Sequence, residues 1–398
     1  MVELNVVKRK KTSQFQNHHT ITQSKYTFQF EHHFPRLQFT TSNKPEQQNH
    51  QFKMSKAPVL ITGASSFIAA HVIDQFLSEG TPVRGVVRSQ SSADRVLKVN
   101  SQYASLLSFA IVPDITKPGA FDEAVKGVDG VIHVASPFTP KIEDNEKDLL
   151  IPAIQGTLQV LESTYKHAPQ VKRVIITASF ASIVDVSKGF REGYVYSEKD
   201  FNPATYDEAK SKDADFGFAY CASKVLAEKA AWKFVEEKKP QFTVTVINPP
   251  VVYGPNRHYI DDLDNINTSS GMFYSLMNGS RLEVPDTSFW AIVDVRDVAL
   301  AHKVAYYKPE TAGQRYLTTA GLFSFQQICD ILREEFPNLR GRVPVGNPGE
   351  PITGVYDVDN TKAKKELGID FISLRQMVID TANNFLDIEK RLGVQISN

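Results

Sequence analysis

The sequence predicts an α/β fold, in which a doubly wound parallel sheet of the Rossmann type carries a smaller C-terminal substrate lobe. Two observations lead to this fold class. From residue 58 onward, short apolar runs alternate with longer segments that repeat apolar residues at the helical period. A glycine-containing turn also separates the first of these runs from the first helical segment. Alternating strands and helices form right-handed βαβ units, whose parallel sheet is covered by helices on both faces.

The elements follow one another in a regular order. The β-branched apolar runs predict strands at Val59–Thr62, Val83–Val87, Leu107–Val112, Gly130–Val134, Val171–Thr177 and Phe242–Ile247. The intervening periodic segments predict helices at Phe67–Leu77, near Ala93–Tyr103, at Phe121–Val125, near Glu146–Lys166 and at Tyr220–Glu237. Prolines at 249, 250 and 255 end the alternation, since proline disfavours both regular structures. We therefore expect a nucleotide-binding domain over 54–250, a substrate lobe over 251–398, and a return to the main domain at 290–310.

The first 53 residues differ from the rest in composition. They carry eight Lys/Arg, three Glu and five of the ten histidines, are rich in Gln, Asn and Thr, and show no apolar period. We expect this leader to be disordered, and translation from Met54 would omit it. A mitochondrial transit peptide is the alternative, because the leader is poor in acids, although it contains only two arginines.

The overall composition excludes several classes of function. The formal net charge of zero argues against a nucleic-acid partner. No apolar run reaches the length of about 18 residues that a membrane-spanning helix needs. The two cysteines lack metal-ligand spacing. We expect a cytoplasmic protein that binds no metal, nucleic acid or membrane, and we leave its oligomeric state open between monomer and homodimer.

The turn after the first strand is a candidate dinucleotide site. Gly63 can form the tight turn, and the helix that follows would present its N-terminus to a pyrophosphate. Ser66 and Ala69 stand where such a turn has its later glycines. Because Ser66 adds a Cβ near the phosphates, we expect weaker or shifted binding.

The end of the second strand indicates which dinucleotide binds. Enzymes that use NAD place an acid there for the ribose hydroxyls, whereas this chain has Arg88, with Arg95 further on. A guanidinium matches a 2′-phosphate in charge and geometry, so the sequence favours NADP(H). Asp114 follows the third strand and could accept a hydrogen bond from the adenine amino group. His133 ends the fourth strand, and we expect it to pack in the core.

Three residues further along form a candidate catalytic set. Ser179 closes the fifth strand, and Tyr220 and Lys224 lie one helical turn apart. A lysine ammonium beside a phenol stabilises the phenolate and lowers the phenol pKa, so that the phenol can exchange a proton with a carbonyl oxygen. With a nicotinamide cofactor, the set can support hydride transfer between the cofactor and a carbonyl or alcohol.

Taken together, these segments resemble the extended short-chain dehydrogenase/reductases. Within that family, the chain is most similar to the fungal NADPH-dependent aldehyde and ketone reductases, a group that includes methylglyoxal reductases. The resemblance covers about residues 57–392 and rests on Ile61–Ala64, Pro113–Ile115, His133–Phe138, Asp148–Pro152, Asn202–Thr205, Tyr220 with Lys224, Ala227–Trp232 and Asp294–Val298. It implies catalysis by Ser179, Tyr220 and Lys224 and selection of NADPH by Arg88. Ser92 replaces a second basic residue of some relatives, and Arg95 could compensate.

Two sets of contacts complete the prediction. The predicted cofactor contacts are Gly63, Ser66, Phe67, Ile68, Arg88, Asp114, Ile115, Ala135, Ser136, Tyr220, Lys224, Pro249 and Val252. The candidate walls of a substrate pocket are Phe138, Phe180, Met272 and Phe273, which as apolar side chains could equally belong to the core.

The expected activity is NADPH-dependent reduction of small aldehydes or ketones, such as methylglyoxal, isovaleraldehyde, diketones or keto esters. Three alternatives remain open. They are reduction of larger substrates of the dihydroflavonol or cinnamoyl-CoA type, a nucleotide-sugar epimerase using Arg257, Arg281 and Arg315 as a diphosphate clamp, and a non-catalytic NADP sensor.

Overall fold

A computed structural model describes residues 57–136, 142–264 and 266–394. The strands are β1 Val59–Thr62, β2 Val83–Val87, β3 Leu107–Ile111, β4 Gly130–His133, β5 Arg173–Thr177, β6 Val195–Tyr196, β7 Thr243–Asn248, β8 Val251–Tyr253, β9 Ala291–Asp294, β10 Arg315–Leu317, β11 Gly321–Leu322 and β12 Asp357–Val358. The α-helices are α1 Phe67–Leu77, α2 Gln90–Val99, α3 Ile151–His167, α4 Tyr206–Ala209, α5 Phe216–Lys238, α6 Thr268–Ser275, α7 Val295–Tyr307, α8 Phe325–Glu335 and α9 Leu374–Leu392.

Within the described residues, seven strands form one parallel sheet in the order β10-β7-β5-β4-β1-β2-β3. The chain moves outward from β1 through β2 to β3, and then crosses back to β4 on the other side of β1. The topological switch point therefore lies between β1 and β4, where open α/β sheets bind ligands at the carboxyl ends of their strands. The predicted α/β, Rossmann-type fold is confirmed.

Two hydrophobic clusters cover the faces of this sheet. Helices α1 and α7 contribute to one cluster, which includes Phe76 and Tyr306. Helices α3 and α5 contribute to the other, through residues such as Leu161 and Phe234. Near-continuous apolar strands such as β1, all four of whose residues are buried, are the expected composition of a parallel sheet covered on both sides.

A separate group of elements forms the C-terminal part of the chain. Strands β11, β9 and β8 make a small sheet, and β12 pairs with β6. Helices α6, α8 and α9 pack around a third cluster that contains Phe273, Phe323 and Phe385. We propose that these elements are the substrate lobe expected over 251–398.

Several expectations about single elements need correction. Phe121–Val125 forms part of a continuous run of turns instead of a helix, flanked by Gly119 and Gly127 at φ of +76° and +69°. Within the segment 290–310, which we expected to return to the main domain, α7 packs against the large sheet, whereas β9 belongs to the small sheet. The strand that rejoins the large sheet is β10, whose three residues are too short for a periodic signal.

Some expectations concern residues outside the described ranges. The leader of 53 residues, Met54 and Phe138 all lie there. Among the described helices, none combines the length and apolar character needed to cross a membrane.

Candidate active site

A cavity of about 930 Å³ opens at the carboxyl edge of the large sheet, at the switch point. Its wall is built from the turns that follow β1, β2, β3 and β4, and from a segment of the C-terminal part that includes His258, Tyr259 and Asn267. Eight of the predicted cofactor contacts line it, namely Gly63, Ser66, Phe67, Arg88, Asp114, Ile115, Ala135 and Ser136. The size and position of this cavity suit a dinucleotide.

The turn between β1 and α1 requires glycine at its first position. Gly63 has φ of +66°, and a Cβ placed there would lie 3.0 Å from the Ala135 Cα. Ser66, by contrast, has φ of −86° and ψ of 163° and caps α1 without a side-chain capping bond. Serine therefore fits its position without backbone strain, and its exposed hydroxyl can serve a phosphate at the helix N-terminus. The expected weaker or shifted binding concerns the approach of the phosphates to the Ser66 Cβ and stays a prediction.

A second anion-binding corner lies at the end of β2. Arg88 is exposed, lines the cavity and has no hydrogen-bond or ion-pair partner within the described residues. Directly after it, the Ser89 hydroxyl caps α2 by accepting from the Ser92 backbone N–H at 3.3 Å. The Ser91 and Ser92 hydroxyls lie 3.0 and 3.1 Å from that of Ser89. Guanidinium, hydroxyls and a helix N-terminus together can hold a 2′-phosphate.

Arg95 is less available for such a phosphate. Its guanidinium forms an ion pair with Asp261 at 3.2 Å and lies 5.8 Å from the ring centre of Tyr259. Arg95 lines the same cavity as Arg88, but its guanidinium already has a carboxylate partner. Both charged side chains are about half exposed, so the pair contributes little stability.

Asp114 keeps one carboxylate oxygen available. Its Oδ1 accepts from the Thr116 backbone N–H at 2.9 Å and from the Thr116 hydroxyl at 2.6 Å. These bonds lower the pKa of Asp114, so the carboxylate is ionised at neutral pH. Oδ2 has no partner in the described part of the chain and can accept from an adenine amino group.

Thr62 ties the end of β1 to the turn after β4. Its hydroxyl accepts from the backbone N–H groups of Val134 and Ala135, both at 3.0 Å, and therefore directs its own proton to Nδ1 of His133 at 2.9 Å. Burial lowers the pKa of His133 to about 4, so the ring is neutral and carries its proton on Nε2. His133 packs edge-to-face on Phe121, in agreement with the expected core role.

Ser179, Tyr220 and Lys224 meet beyond this turn. The Ser179 hydroxyl and the Tyr220 phenol form a side-chain hydrogen bond. The Lys224 Nζ lies 5.2 Å from the centre of the Tyr220 ring and donates to the Ser136 hydroxyl at 2.5 Å. Ser136 lines the cavity, so this contact joins the catalytic candidates to the cofactor candidates.

Burial sets the pKa values of these groups. It raises the pKa of Tyr220 to about 12, although the bond to Ser179 acts in the opposite direction, and it lowers the pKa of Lys224 to about 8. Lys224 is not among the groups that shift the phenol pKa in this structure, so the expected lowering of that pKa by the lysine stays a prediction. At neutral pH the phenol is protonated and the amine is charged, which is the state a proton donor needs.

Several predicted contacts lie elsewhere. Ile68 and Val252 pack in hydrophobic clusters, and Pro249 is buried behind Ser179, whose hydroxyl contacts the Pro249 carbonyl at 3.5 Å. Phe180 and Phe273 are 1% and 0% exposed, so their side chains serve the core and do not form pocket walls. Met272 is partly buried, and its sulfur lies 3.5 Å from an Arg281 nitrogen. Phe138 lies outside the described residues.

Residues 59–317 match the NAD dependent epimerase/dehydratase family. The chain belongs to this family. Its relatives include the NADPH-dependent methylglyoxal reductase of Saccharomyces cerevisiae, which is 40% identical over 84% of this chain and 99% of the relative. A putative oxidoreductase of Schizosaccharomyces pombe is 41% identical over 83% of this chain and 97% of its own length. The predicted membership of the extended short-chain dehydrogenase/reductases is thereby confirmed.

The structure of a solved relative supports both the fold and the family assignment. The crystal structure of yeast methylglyoxal/isovaleraldehyde reductase complexed with NADPH superimposes with a TM-score of 0.78. It is 40% identical and covers 84% of this chain and 99% of the yeast protein.

Sequence reasoning missed some features of this site. It treated Ser92 only as a lost basic residue, although the Ser89 cap and its hydroxyl neighbours could have been recognised from the serine run before a helix. It had no signal for His258 and Tyr259, because only the folded chain brings this C-terminal segment to the cavity.

Replacing Arg88 with alanine tests the 2′-phosphate corner. We expect kcat/KM with NADPH to fall by about 10- to 150-fold, the equivalent of 1.5–3 kcal/mol for a charge-assisted contact. The value with NADH should change little, since NADH lacks the phosphate. Arg95→Ala is the matched control and should have a smaller effect. Equal losses with both cofactors would show that Arg88 supports the loop instead.

The pH dependence tests the protonation states. As pH rises through about 8, Lys224 loses its charge while Tyr220 keeps its proton, so kcat/KM for NADPH should fall on the alkaline side. In Lys224→Arg the guanidinium does not titrate in this range, and the alkaline fall should move to higher pH. An unchanged fall in that variant would assign it to another group.

Proposed function

We propose that the chain catalyses NADPH-dependent reduction of small aldehydes and ketones to alcohols. The observation that carries this proposal is that one residue, Lys224, connects the catalytic candidates to the dinucleotide cavity. Lys224 on α5 lies against the Tyr220 ring and also donates to Ser136 in the wall of the dinucleotide cavity. The names of its close relatives agree with the predicted NADPH-dependent carbonyl reductase.

The residues of the cavity would bind and orient the NADPH cofactor. The close approach at Gly63 and the N-terminus of α1 would receive the pyrophosphate, and Arg88 with the Ser89 cap would hold the 2′-phosphate. Lys224 would donate to the nicotinamide ribose. The bound nicotinamide supplies the hydride.

The catalytic set handles the proton and the developing charge. Tyr220 would donate its phenolic proton to the carbonyl oxygen, and Ser179 would donate a hydrogen bond to the same oxygen and orient it. The charged Lys224 would stabilise the phenolate that Tyr220 becomes. The Tyr220 phenol is protonated at neutral pH and can therefore act as the proton donor.

The contacts of the three arginines proposed as a diphosphate clamp give less support to the epimerase alternative than the catalytic set gives to a reductase. Arg257 forms an ion pair with Asp74, and Arg315 is buried against Glu228. Arg281 donates to the Ser275 hydroxyl at 2.7 Å. Because two of the three arginines are neutralised by carboxylates, they are poor candidates for a diphosphate.

The carbonyl substrates to compare are methylglyoxal, isovaleraldehyde, diketones and keto esters. Oxidation of NADPH, followed by its absorbance, ranks them and distinguishes this class from larger flavonoid or CoA-ester substrates. We further propose a cytoplasmic location for this activity.

Tyr220→Phe tests the proposed chemistry. The variant keeps the ring but has no proton to transfer, so kcat should fall by at least about 100-fold. NADPH affinity, measured by the fluorescence of the bound cofactor, should stay within a factor of about two.

Tyr206→Phe is the matched control. That tyrosine lies on the neighbouring helix α4, and its hydroxyl donates to Glu146 at 2.8 Å, away from the proposed chemistry. Its kcat should remain near that of the wild type. Near-normal turnover in Tyr220→Phe would refute the role of the phenol.

A further inference from the structure

The turn that carries Ser179 is held by the end of a neighbouring strand, β7. The backbone N–H of Phe180 donates to the Pro249 carbonyl at 2.9 Å, and the Ser179 hydroxyl contacts the same oxygen at 3.5 Å. Asn248, the residue before Pro249, donates from Nδ2 to the Ser179 carbonyl at 3.2 Å. The position of the Ser179 turn therefore depends on the last residue of β7, Asn248, and on Pro249, which follows it.

Asn248 also reaches the helix that carries Tyr220 and Lys224. Its Nδ2 donates a second hydrogen bond, at 2.9 Å, to Oε2 of Glu228 on α5. Glu228 follows Lys224 by four residues and Tyr220 by eight, so all three lie along one side of the helix. Both hydrogens of one amide group thus connect the Ser179 turn to the Tyr220 helix.

An arginine at the edge of the large sheet, Arg315, neutralises the Glu228 carboxylate in this bridge. Arg315 of β10 pairs with both carboxylate oxygens of Glu228, and it donates to the Asp200 carbonyl at 2.8 Å. The Trp232 indole donates to Glu228 at 3.1 Å. Asn248 and Glu228 are 0% and 1% exposed, so the bridge is sealed from water. Breaking a buried pair of this kind leaves polar groups without compensation.

We propose that Asn248 and Glu228 are positioning residues for the reaction, which set the Ser179 hydroxyl and the Tyr220 phenol at one carbonyl oxygen. This inference rests on the proposed function. Neither residue touches the reacting atoms. Ser179 and Tyr220 come from separate elements, and both must reach the same oxygen, so a displacement of about 1 Å between β5 and α5 would lower the rate substantially.

A double-mutant cycle on kcat tests the proposal, with the variants Asn248→Ala, Ser179→Ala and the pair combined. If Asn248 acts through Ser179, its replacement should lower kcat by roughly 10-fold in the wild type and by less than about 2-fold once Ser179 is absent. NADPH affinity should be unchanged in all variants. The same loss in both backgrounds would overturn the proposal, because it would show a general structural effect.

Glu228→Gln provides a second cycle if Asn248→Ala does not fold. Glutamine keeps the volume, but its N–H₂ must face either the Asn248 and Arg315 donors or the Arg315 and Trp232 donors, so the bridge cannot keep all of its hydrogen bonds. The matched control is Glu389→Gln, which removes the charge of another buried carboxylate that pairs with Arg342 and accepts from Tyr274. This control should lower the melting temperature without lowering kcat. If kcat falls equally in both glutamine variants, or if the Glu228→Gln loss is independent of Ser179, the positioning role is wrong.

The failure of the proposed function would look different. In that case the wild-type protein would oxidise no NADPH with the carbonyl substrates, or Ser179→Ala alone would retain wild-type turnover, and no cycle could show coupling. Loss of activity in Ser179→Ala, together with additive effects of Asn248→Ala, would preserve the proposed function and reject only the bridge.

Discussion

The register of the parallel sheet is the constraint on which the site depends. Thr62 pairs with His133, His133 with Ile176, and Thr177 with Ile247, so β1, β4, β5 and β7 end at nearly the same level. Each strand is followed at once by a turn that carries a functional candidate. A parallel sheet has all its carboxyl ends on one edge, and turns far apart in sequence therefore form one site. The Thr62 hydroxyl and the Asn248 amide then connect adjacent turns across this edge.

Burial of that edge has an electrostatic consequence. The same desolvation raises the pKa of Tyr220, lowers that of Lys224 and keeps His133 neutral. Of these three side chains, only Lys224 is charged at neutral pH. Arg88 is exposed and is our proposed partner for the 2′-phosphate, whereas Arg315 is neutralised by Glu228 in the interior. The difference between the two arginines follows from the carboxylate that the fold places beside Arg315 and not beside Arg88.

Sequence reasoning reached the βαβ order because each strand and helix carries its own local pattern. It also brought Ser179, Tyr220 and Lys224 together, since a helical turn and a strand end fix their positions. It could not tell that Phe180 and Phe273 are core residues and not pocket walls, because an apolar side chain has the same sequence pattern in a core and in a pocket. It missed β10 and the segment of His258 and Tyr259, whose positions depend on contacts between residues far apart in the chain.

A crystal structure of the protein with NADP⁺ and a small ketone is the most direct measurement of the central claim, that one sheet edge joins a dinucleotide site to a Ser/Tyr/Lys site. The account predicts the pyrophosphate at the N-terminus of α1 and the 2′-phosphate at Arg88. The ketone oxygen should lie within hydrogen-bond distance of both the Ser179 hydroxyl and the Tyr220 phenol. A nicotinamide bound away from Tyr220, or a ketone oxygen that contacts neither hydroxyl, would contradict it.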